Sequence, residues 1–344
     1  MQRHVLVAAL ALTGGVFAQS TFSSGTLVTN PGAGFGGADV SLLHPTNGTL
    51  GYTASAAANI RVADDFTVPC GESWTLATLS GFGYQTGSGT TSTLTAANYR
   101  IWSGRPGDAG SVVIHDYSTA NQMTATSFTN IYRVGNGVAL TTNTRPIMRA
   151  DMNGNAIVLG PGQYWLDYTL TGSTTSGPFV PSVSDLANPI TGDGMQFLPA
   201  GTGGTWTGPL LNGVSAVGIP IEVSYVVTTI PCYTYSLTQS VAGGAVTISN
   251  GGGPAFGVYL NLIALTPGAT PNGWFAGLDI GVADLINELL VGAPFFGVLD
   301  ASGAASFVVP APIPSGLPLY TASIAYGAGN VEAGRVSAFT YTTL

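Results

Sequence analysis

Lysine is absent from this chain of 344 residues, and only 7% of it is charged. A soluble domain ordinarily carries about 25% charged residues. Wetting this surface therefore falls to Thr, Ser, Asn, Gln and 49 glycines. That composition suits an extracellular β-protein better than a cytosolic enzyme. Eight basic groups against 16 acidic ones leave a net charge of −8. Beyond the leading Arg3, the arginines are scattered at Arg61, Arg100, Arg105, Arg133, Arg145, Arg149 and Arg335. Phosphate backbones are bound through clustered Lys and Arg. The charge pattern thus argues against nucleic acid and against an anionic membrane surface as partners.

Histidine and cysteine are nearly as scarce. The three histidines are His4, His44 and His115, and the two cysteines are Cys70 and Cys232. Zinc sites need four ligands at close spacings, which two isolated cysteines do not supply. The chain has no His-Glu-x-x-His and no Gly-x-Ser-x-Gly elbow. Asp300-Ala301-Ser302-Gly303 has no second copy to make a carboxylate dyad. Gly32-Ala33-Gly34-Phe35-Gly36-Gly37 follows no strand and opens no helix, so it is no dinucleotide fingerprint. Beyond the N-terminus no apolar run approaches the ~20 residues of a membrane-spanning helix, and no membrane span is expected.

The N-terminus has the three parts of a secretory signal. Met1-Gln2-Arg3-His4 is a short positive region, residues 5–12 are unbroken apolar, and Gly14-Gly15 interrupts them. Val16 and Ala18 stand at −3 and −1 of a cleavage before Gln19. Export makes a disulfide permissible, so Cys70 and Cys232 form either a long-range bridge or two free thiols.

Forty-five per cent of residues are apolar, with 14 Tyr, 14 Phe and 5 Trp, enough for a sizeable core. Almost every segment alternates with period two. Over residues 163–170, Tyr164, Leu166, Tyr168 and Leu170 share one face, while Gln163, Trp165, Asp167 and Thr169 share the other. That is the pattern of a half-buried antiparallel strand. Further strands are expected at 60–68, 76–84, 98–102, 111–115, 156–159, 219–225, 245–249, 256–265, 305–309, 319–325 and 335–342. Gly and Pro clusters punctuate them, as sandwiches require. One helix is expected over residues 279–291. It would place Ile280, Ala283, Leu285 or Ile286, and Leu289-Leu290 on one side and Asp284, Asn287 and Glu288 on the other, with Gly292 as C-cap. The expected architecture is all-β: two antiparallel β-sandwich domains, jelly-roll-like over 19–229 and Ig-like over 232–344, the second with one short helix.

Several strings then bear a likeness. They are Ala63-Asp64-Asp65-Phe66-Thr67-Val68, Tyr84-Gln85-Thr86-Gly87, Arg100-Ile101-Trp102-Ser103-Gly104-Arg105-Pro106-Gly107, Asn130-Ile131-Tyr132-Arg133-Val134, Arg145-Pro146-Ile147-Met148 and Pro161-Gly162-Gln163-Tyr164-Trp165-Leu166-Asp167. In this order the chain resembles a group of uncharacterised secreted β-rich proteins of environmental bacteria, planctomycetes among them. Residues 233–344, with Leu299-Asp300-Ala301-Ser302-Gly303, look like a C-terminal sandwich domain of exported planctomycete proteins. The resemblance implies export and a β-rich fold. It brings no activity and no site residues.

Four local features carry candidate chemistry. Asp151, Asn153 and Asn155 alternate as calcium ligands do, but the twelfth position, where a bidentate Glu belongs, is Gly162. The competing reading is a hairpin turn on Asn153-Gly154 between residues 147–149 and 156–159. Asp64-Asp65 offers two carboxylates for acid–base work or a cation. Neighbours in a strand point to opposite faces, which favours one exposed and one paired with Arg61 or a backbone N–H. His115-Asp116 is a base with an acid beside it but lacks a nucleophile. Trp102 and Trp165 lie opposite the apolar faces of their strands, and Trp206 and Trp274 lie in Gly-rich loops. They either stack on sugars or cover a second packed face.

No catalytic, cofactor-binding or metal-ligating residue is assigned from the sequence. The expectation is a secreted, non-catalytic cell-surface or matrix protein, structural or adhesive, whose partner is extracellular glycan or a second copy of itself. A carbohydrate-binding protein using exposed aromatics is the alternative. A glycoside hydrolase would need two of Asp64, Asp65, Asp116, Asp167 and Asp193 to meet in a cleft. Export is tested by the intact mass of the protein recovered from its native medium: the expected species begins at Gln19, and one retaining Met1 contradicts the signal.

Overall fold

The computed structural model describes residues 19–199, 204–264, 281–316 and 318–327, with the strands Arg335–Val336 and Thr340–Thr343. The signal segment 1–18 and Trp274 lie outside the described residues. The fold is all-β. A six-stranded sheet runs in the order Thr205–Thr207, Met195–Leu198, Arg61–Val68, Gly162–Gly172, Leu94–Ser103, Val112–Tyr117. A seven-stranded sheet runs in the order Gln19–Ser23, Ile221–Thr229, Glu72–Gly83, Pro146–Asn153, Met123–Val134, Asp39–Leu42, with Val158–Leu159 also on Glu72–Gly83. The chain passes repeatedly from one sheet to the other, as a jelly-roll-like sandwich does. One pair departs from the antiparallel expectation: Asp39–Leu42 runs parallel to residues 131–134 at the sheet edge.

Alternation builds the space between the sheets. Tyr164, Leu166, Tyr168 and Leu170 point inward with Val62, Phe66, Tyr99 and Ile101. Against them stand Leu76, Leu79, Met148, Met152, Ile221 and Val223 from the other sheet. Each fully buried aliphatic side chain here contributes ~1.5–3 kcal/mol. Gly81 shows how closely the sheets approach: a Cβ there would lie 2.5 Å from the Tyr168 ring. Strand Gly162–Gly172 is not half-buried as its alternation suggests. Trp165, Asp167 and Thr169 are buried as well, because the outer face at the centre of the sheet carries a second packed layer.

Met123–Val134 has no period-two apolar signal, and its first half is Thr- and Ser-rich and largely exposed. Its pairing with Pro146–Asn153 slips between Phe128 and Tyr132, around Asn130, which has φ 61°. The hairpin expected on Asn153-Gly154 is corrected as well. The turn exists, with Asn155 and Ala156 at φ 53° and 50°. Its two flanks, however, pair with the same neighbour and not with each other: Asn153 faces Thr78, and Val158 faces Thr75.

From residue 234 the strands form sheets of their own. Thr234–Gln239, Val246–Gly251 and Ala305–Val309 make one. Phe296–Val298, Val258–Ala264, Pro318–Tyr326, Arg335–Val336 and Thr340–Thr343 make the other. A buried amide–hydroxyl network links the two. Asn250 Nδ2 donates to Asn261 Oδ1 at 2.7 Å and to Tyr233 Oη at 2.8 Å, and Ser323 Oγ donates to Asn261 Oδ1 at 2.6 Å. The helix is Val282–Val291, and Gly292 at its C-cap has φ 77°. The face it buries differs from the expectation. Leu285 and Glu288 turn inward, while Ile286, Leu289 and Leu290 are exposed. Glu288 is held there because its Oε1 accepts the backbone N–H of Ile263 at 2.6 Å.

Cys70 and Cys232 are bridged, with Cα atoms 5.2 Å apart across 162 residues of sequence. The bridge fastens the segment after Ile221–Thr229 to the turn between Arg61–Val68 and Glu72–Gly83, and Ile230 N–H also donates to Gly71 O at 2.9 Å. A loop of this length corresponds to about 5 kcal/mol in the chain-entropy account. A nick between Thr228 and Pro231 should therefore leave both pieces joined. Electrophoresis of the nicked protein should show one band without reductant and two with it; two bands without reductant would refute the bridge.

Candidate functional site

Register decides which side chains meet on the outer face of the six-stranded sheet. Trp165 stands opposite both Asp65 and Trp102, and Asp167 stands opposite both Ala63 and Arg100. Phe197 pairs with both Arg61 and Trp206. The result is an aromatic group beside a charged one. Trp165, 1% exposed, packs with Ala63 and Met195 beneath the half-buried Trp102 and Trp206. Trp102 and Trp206 meet edge to face at 6.0 Å, and Phe197 leans on Trp206 at 5.6 Å. Arg105 lies over the Trp165 ring at 5.9 Å. Two uses are open to these tryptophans on sequence grounds, and the structure divides them. Trp165 is a covered side chain, whereas Trp102 and Trp206 are only half-buried.

Asp167 is the polar centre of this face. It forms a fully buried ion pair with Arg61 Nε, accepts Trp102 Nε1 at 3.1 Å, and lies 4.0 Å from Arg100 Nη1. Burial raises its carboxyl above the usual range, against the pull of Arg61, the Trp102 indole and Arg100. Arg100 continues outward to Asp116 at 3.1 Å.

Along strand Arg61–Val68 of the same sheet three carboxylates converge. Asp64, Asp65 and Asp193 each bring an oxygen within 4.8 Å of the others. Asp64 and Asp65 do point to opposite faces, as neighbours in a strand must. Asp64 is buried inward and accepts N–H groups from Asp65, at 2.9 Å, and Ile219. Asp65 faces outward and accepts Gln163 Nε2 at 2.6 Å. Asp193 joins them because residues 191–194 run beside 216–217, with Gly194 N–H on Val217 O at 3.0 Å. Burial pushes Asp64 up to about 8, its two N–H donors offset this only in part, and the charges of Asp65 and Asp193 add to it. Burial also raises Asp193, as does the Asp65 charge. Oxygen donors of this kind suit a hard cation such as Ca²⁺, which takes 6–8 oxygen ligands. Acidic side chains also gather in many proteins without an ion, and this group by itself identifies none.

No protein-family model matches the chain, and no curated protein is detectably similar to it.

The remaining candidates are dispersed. His115 pairs with Ile101 and Asp116 with Arg100, so they lie on opposite faces of their strand and form no base–acid couple. Asp151, Asn153 and Asn155 do not converge on a common point. Asp151 bonds Arg149, Asn153 Oδ1 accepts Asn155 N–H at 2.9 Å, and Asn155 Nδ2 reaches Tyr99 Oη at 2.8 Å. They build a turn. Two features have no local signal in the sequence, although Asp193 stands among the carboxylates a hydrolase would need. Asp193 is brought to the pair by loop pairing, which no local motif announces. Arg133 is wholly buried with no carboxylate beside it among the described residues, held by Leu50 O at 2.9 Å, Ser41 Oγ at 2.9 Å, Ser182 Oγ at 3.1 Å and Ser184 Oγ at 2.5 Å. Burial lowers its guanidinium to about 10.

The raised carboxyls set a pH dependence. Folded Asp64 keeps its proton to about pH 8, and burial raises Glu288 to about 8 as well. In the unfolded chain such groups lose theirs near pH 4. The folded state thus binds more protons between these values, and stability falls as pH rises through that window. Urea midpoints measured from pH 5 to pH 8 should decline, and Asp64→Asn should flatten the decline. A midpoint that rises with pH would contradict the burial of these groups.

Proposed function

We propose that this is an exported, non-catalytic protein of the cell surface or extracellular matrix that acts by adhesion, and that it meets extracellular glycan through the outer face of the six-stranded sheet. The observation that carries this reading is the pair Trp102 and Trp206. Both are half-buried and held in place by Trp165, Phe197 and Asp167. Aromatic side chains with one wet edge and a fixed orientation are the usual anchors of recognition surfaces. Arg100 and Asp116 beside them offer donors and acceptors to hydroxyl groups. Export is supported by the signal-like N-terminus, by the resemblance to secreted proteins and by the Cys70–Cys232 bridge, which fits an oxidising compartment. Among the described residues no helix is long and apolar enough to cross a membrane.

The Asp64–Asp65–Asp193 group favours a second reading, a glycoside hydrolase. Such enzymes hold two carboxyls about 5–10 Å apart on either side of a sugar bond. Here Asp64 is 3% exposed and turned into the sandwich, which leaves it out of reach of a chain lying across the sheet. The adhesive reading is preferred for that reason. Both readings are tested together on the purified mature protein. Pull-down on insoluble polysaccharides should show retention that Trp102→Ala or Trp206→Ala weakens about tenfold or more. Substrate turnover lost on Asp65→Asn, with binding indifferent to both tryptophans, would replace adhesion by hydrolysis.

A further inference from the structure

The opposite side of the sandwich carries a separate cleft of about 620 Å³, within the size range of small-molecule sites. It is built by a strap. After Gln19–Ser23 the chain leaves one edge of the seven-stranded sheet and crosses its outer face. It reaches the far edge where Thr29 N–H donates to Val40 O at 2.8 Å. Leu27 pins the strap down by packing on Phe82, Ile147 and Ile131. The cleft opens between this strap and the sheet, with Pro220, Glu222 and Arg149 completing its walls.

The floor is a charged group fixed in one arrangement. Arg149 Nε donates to Asp151 Oδ1 at 2.6 Å, Nη2 donates to Ser80 Oγ at 2.8 Å, and Nη1 donates to Glu222 Oε2. The guanidinium lies over the Phe82 ring at 5.9 Å. These bonds use three of the five N–H donors of an arginine. Glu222 Oε1 and Asp151 Oδ2 accept no hydrogen bond from the described residues. Arg149 and Glu222 line the cleft with side chains 30% and 26% exposed, and both have unused donors or acceptors. Arg149 is shared between Glu222 in the cleft and Asp151 beside it, so the group is net negative, which disfavours an anionic ligand.

We infer that this cleft binds a neutral saccharide by a vicinal diol. One hydroxyl donates to Glu222 Oε1, its neighbour accepts an N–H from Arg149, and Leu27, Ile131 and Pro220 meet the C–H face of the ring. A carboxylate beside a guanidinium matches a diol in which one oxygen donates and the next accepts. The guanidinium is already oriented by its other partners, so little ordering cost attends binding. The site stands apart from Trp102 and Trp206 and does not rest on their role.

The test is a methyl NMR titration of the full mature chain, following Leu27 and Ile131, with gluco-, manno-, xylo- and galacto-oligosaccharides and with putrescine. At least one saccharide should move both residues along a saturable curve. Its O-methylated counterpart should not. Glu222→Gln should weaken binding about tenfold or more at an unchanged unfolding midpoint. If Glu222→Gln lowers that midpoint, Arg149→Lys, which keeps the charge and loses the fork, should give the same weakening. The inference is overturned if no saccharide moves these methyls at millimolar concentration, if the O-methylated sugar binds equally, or if a folded variant binds like the wild type. Putrescine occupying the cleft in place of every saccharide overturns it too, by making the cleft a cation site. A saccharide that moves only the indole signals of Trp102 and Trp206 supports the adhesive face and refutes this cleft.

Discussion

Asp167 ties together the three strands at the centre of the six-stranded sheet. From Gly162–Gly172 it reaches Arg61 on one neighbouring strand and Trp102 and Arg100 on the other. Removing one partner of such a buried pair ordinarily costs about 3–5 kcal/mol, because the other charge is left stranded. The aromatic face depends on the same carboxylate. Trp102 is oriented by it, Trp206 leans on Trp102, and Trp165 fills the space beneath. In a chain so poor in charge, each buried Asp, Glu and Arg among the described residues has a specific answer to desolvation. Asp167 has counter-ions, Arg133 has a carbonyl and three serine hydroxyls, and Asp64 and Glu288 accept backbone N–H groups and hold their protons.

The two outer faces of the large sandwich have different chemistry. One presents aromatic edges beside an Arg–Asp ladder. The other presents a strap over a sheet, with a fixed guanidinium between two carboxylates. The disulfide lies away from both, where the chain leaves the large sandwich, and it anchors the later strands to the turn after Arg61–Val68. Adhesion suits this arrangement, since rigid sheets hold side chains in place and no moving part is required.

Much of the fold was legible along the chain. Alternation located Arg61–Val68, Leu94–Ser103, Gly162–Gly172 and Ala305–Val309, because an inward-facing position must be apolar and the next one need not be. The same rule missed Met123–Val134, whose exposed half has no apolar face to reveal. It also misjudged the outer side of Gly162–Gly172, where Asp167 reads as a solvent-facing residue and is buried by its counter-ion. The helix was found, but its face was not. Helical periodicity sorts residues by hydropathy, and Glu288 turns inward for the sake of one backbone N–H. Of the candidate sites, the Asp64–Asp65 pair and the tryptophans were visible as residue types. Asp193 stood only as one carboxylate among five, and Arg149 and Glu222 were not visible, because each acquires meaning only from strands and loops far away in sequence.

Composition and alternation by themselves determined the all-β class, the sparse charge and the two cysteines available to pair. These follow from local rules: side-chain period, turn chemistry and the solvation of each residue type. Tertiary structure alone decided which carboxylates are paired, which tryptophan edges stay wet, and where a cleft opens. Such outcomes depend on register and on the crossing of distant segments. A one-residue slip would exchange the two faces of any of these strands, and nothing in the local sequence states which neighbour a strand will find.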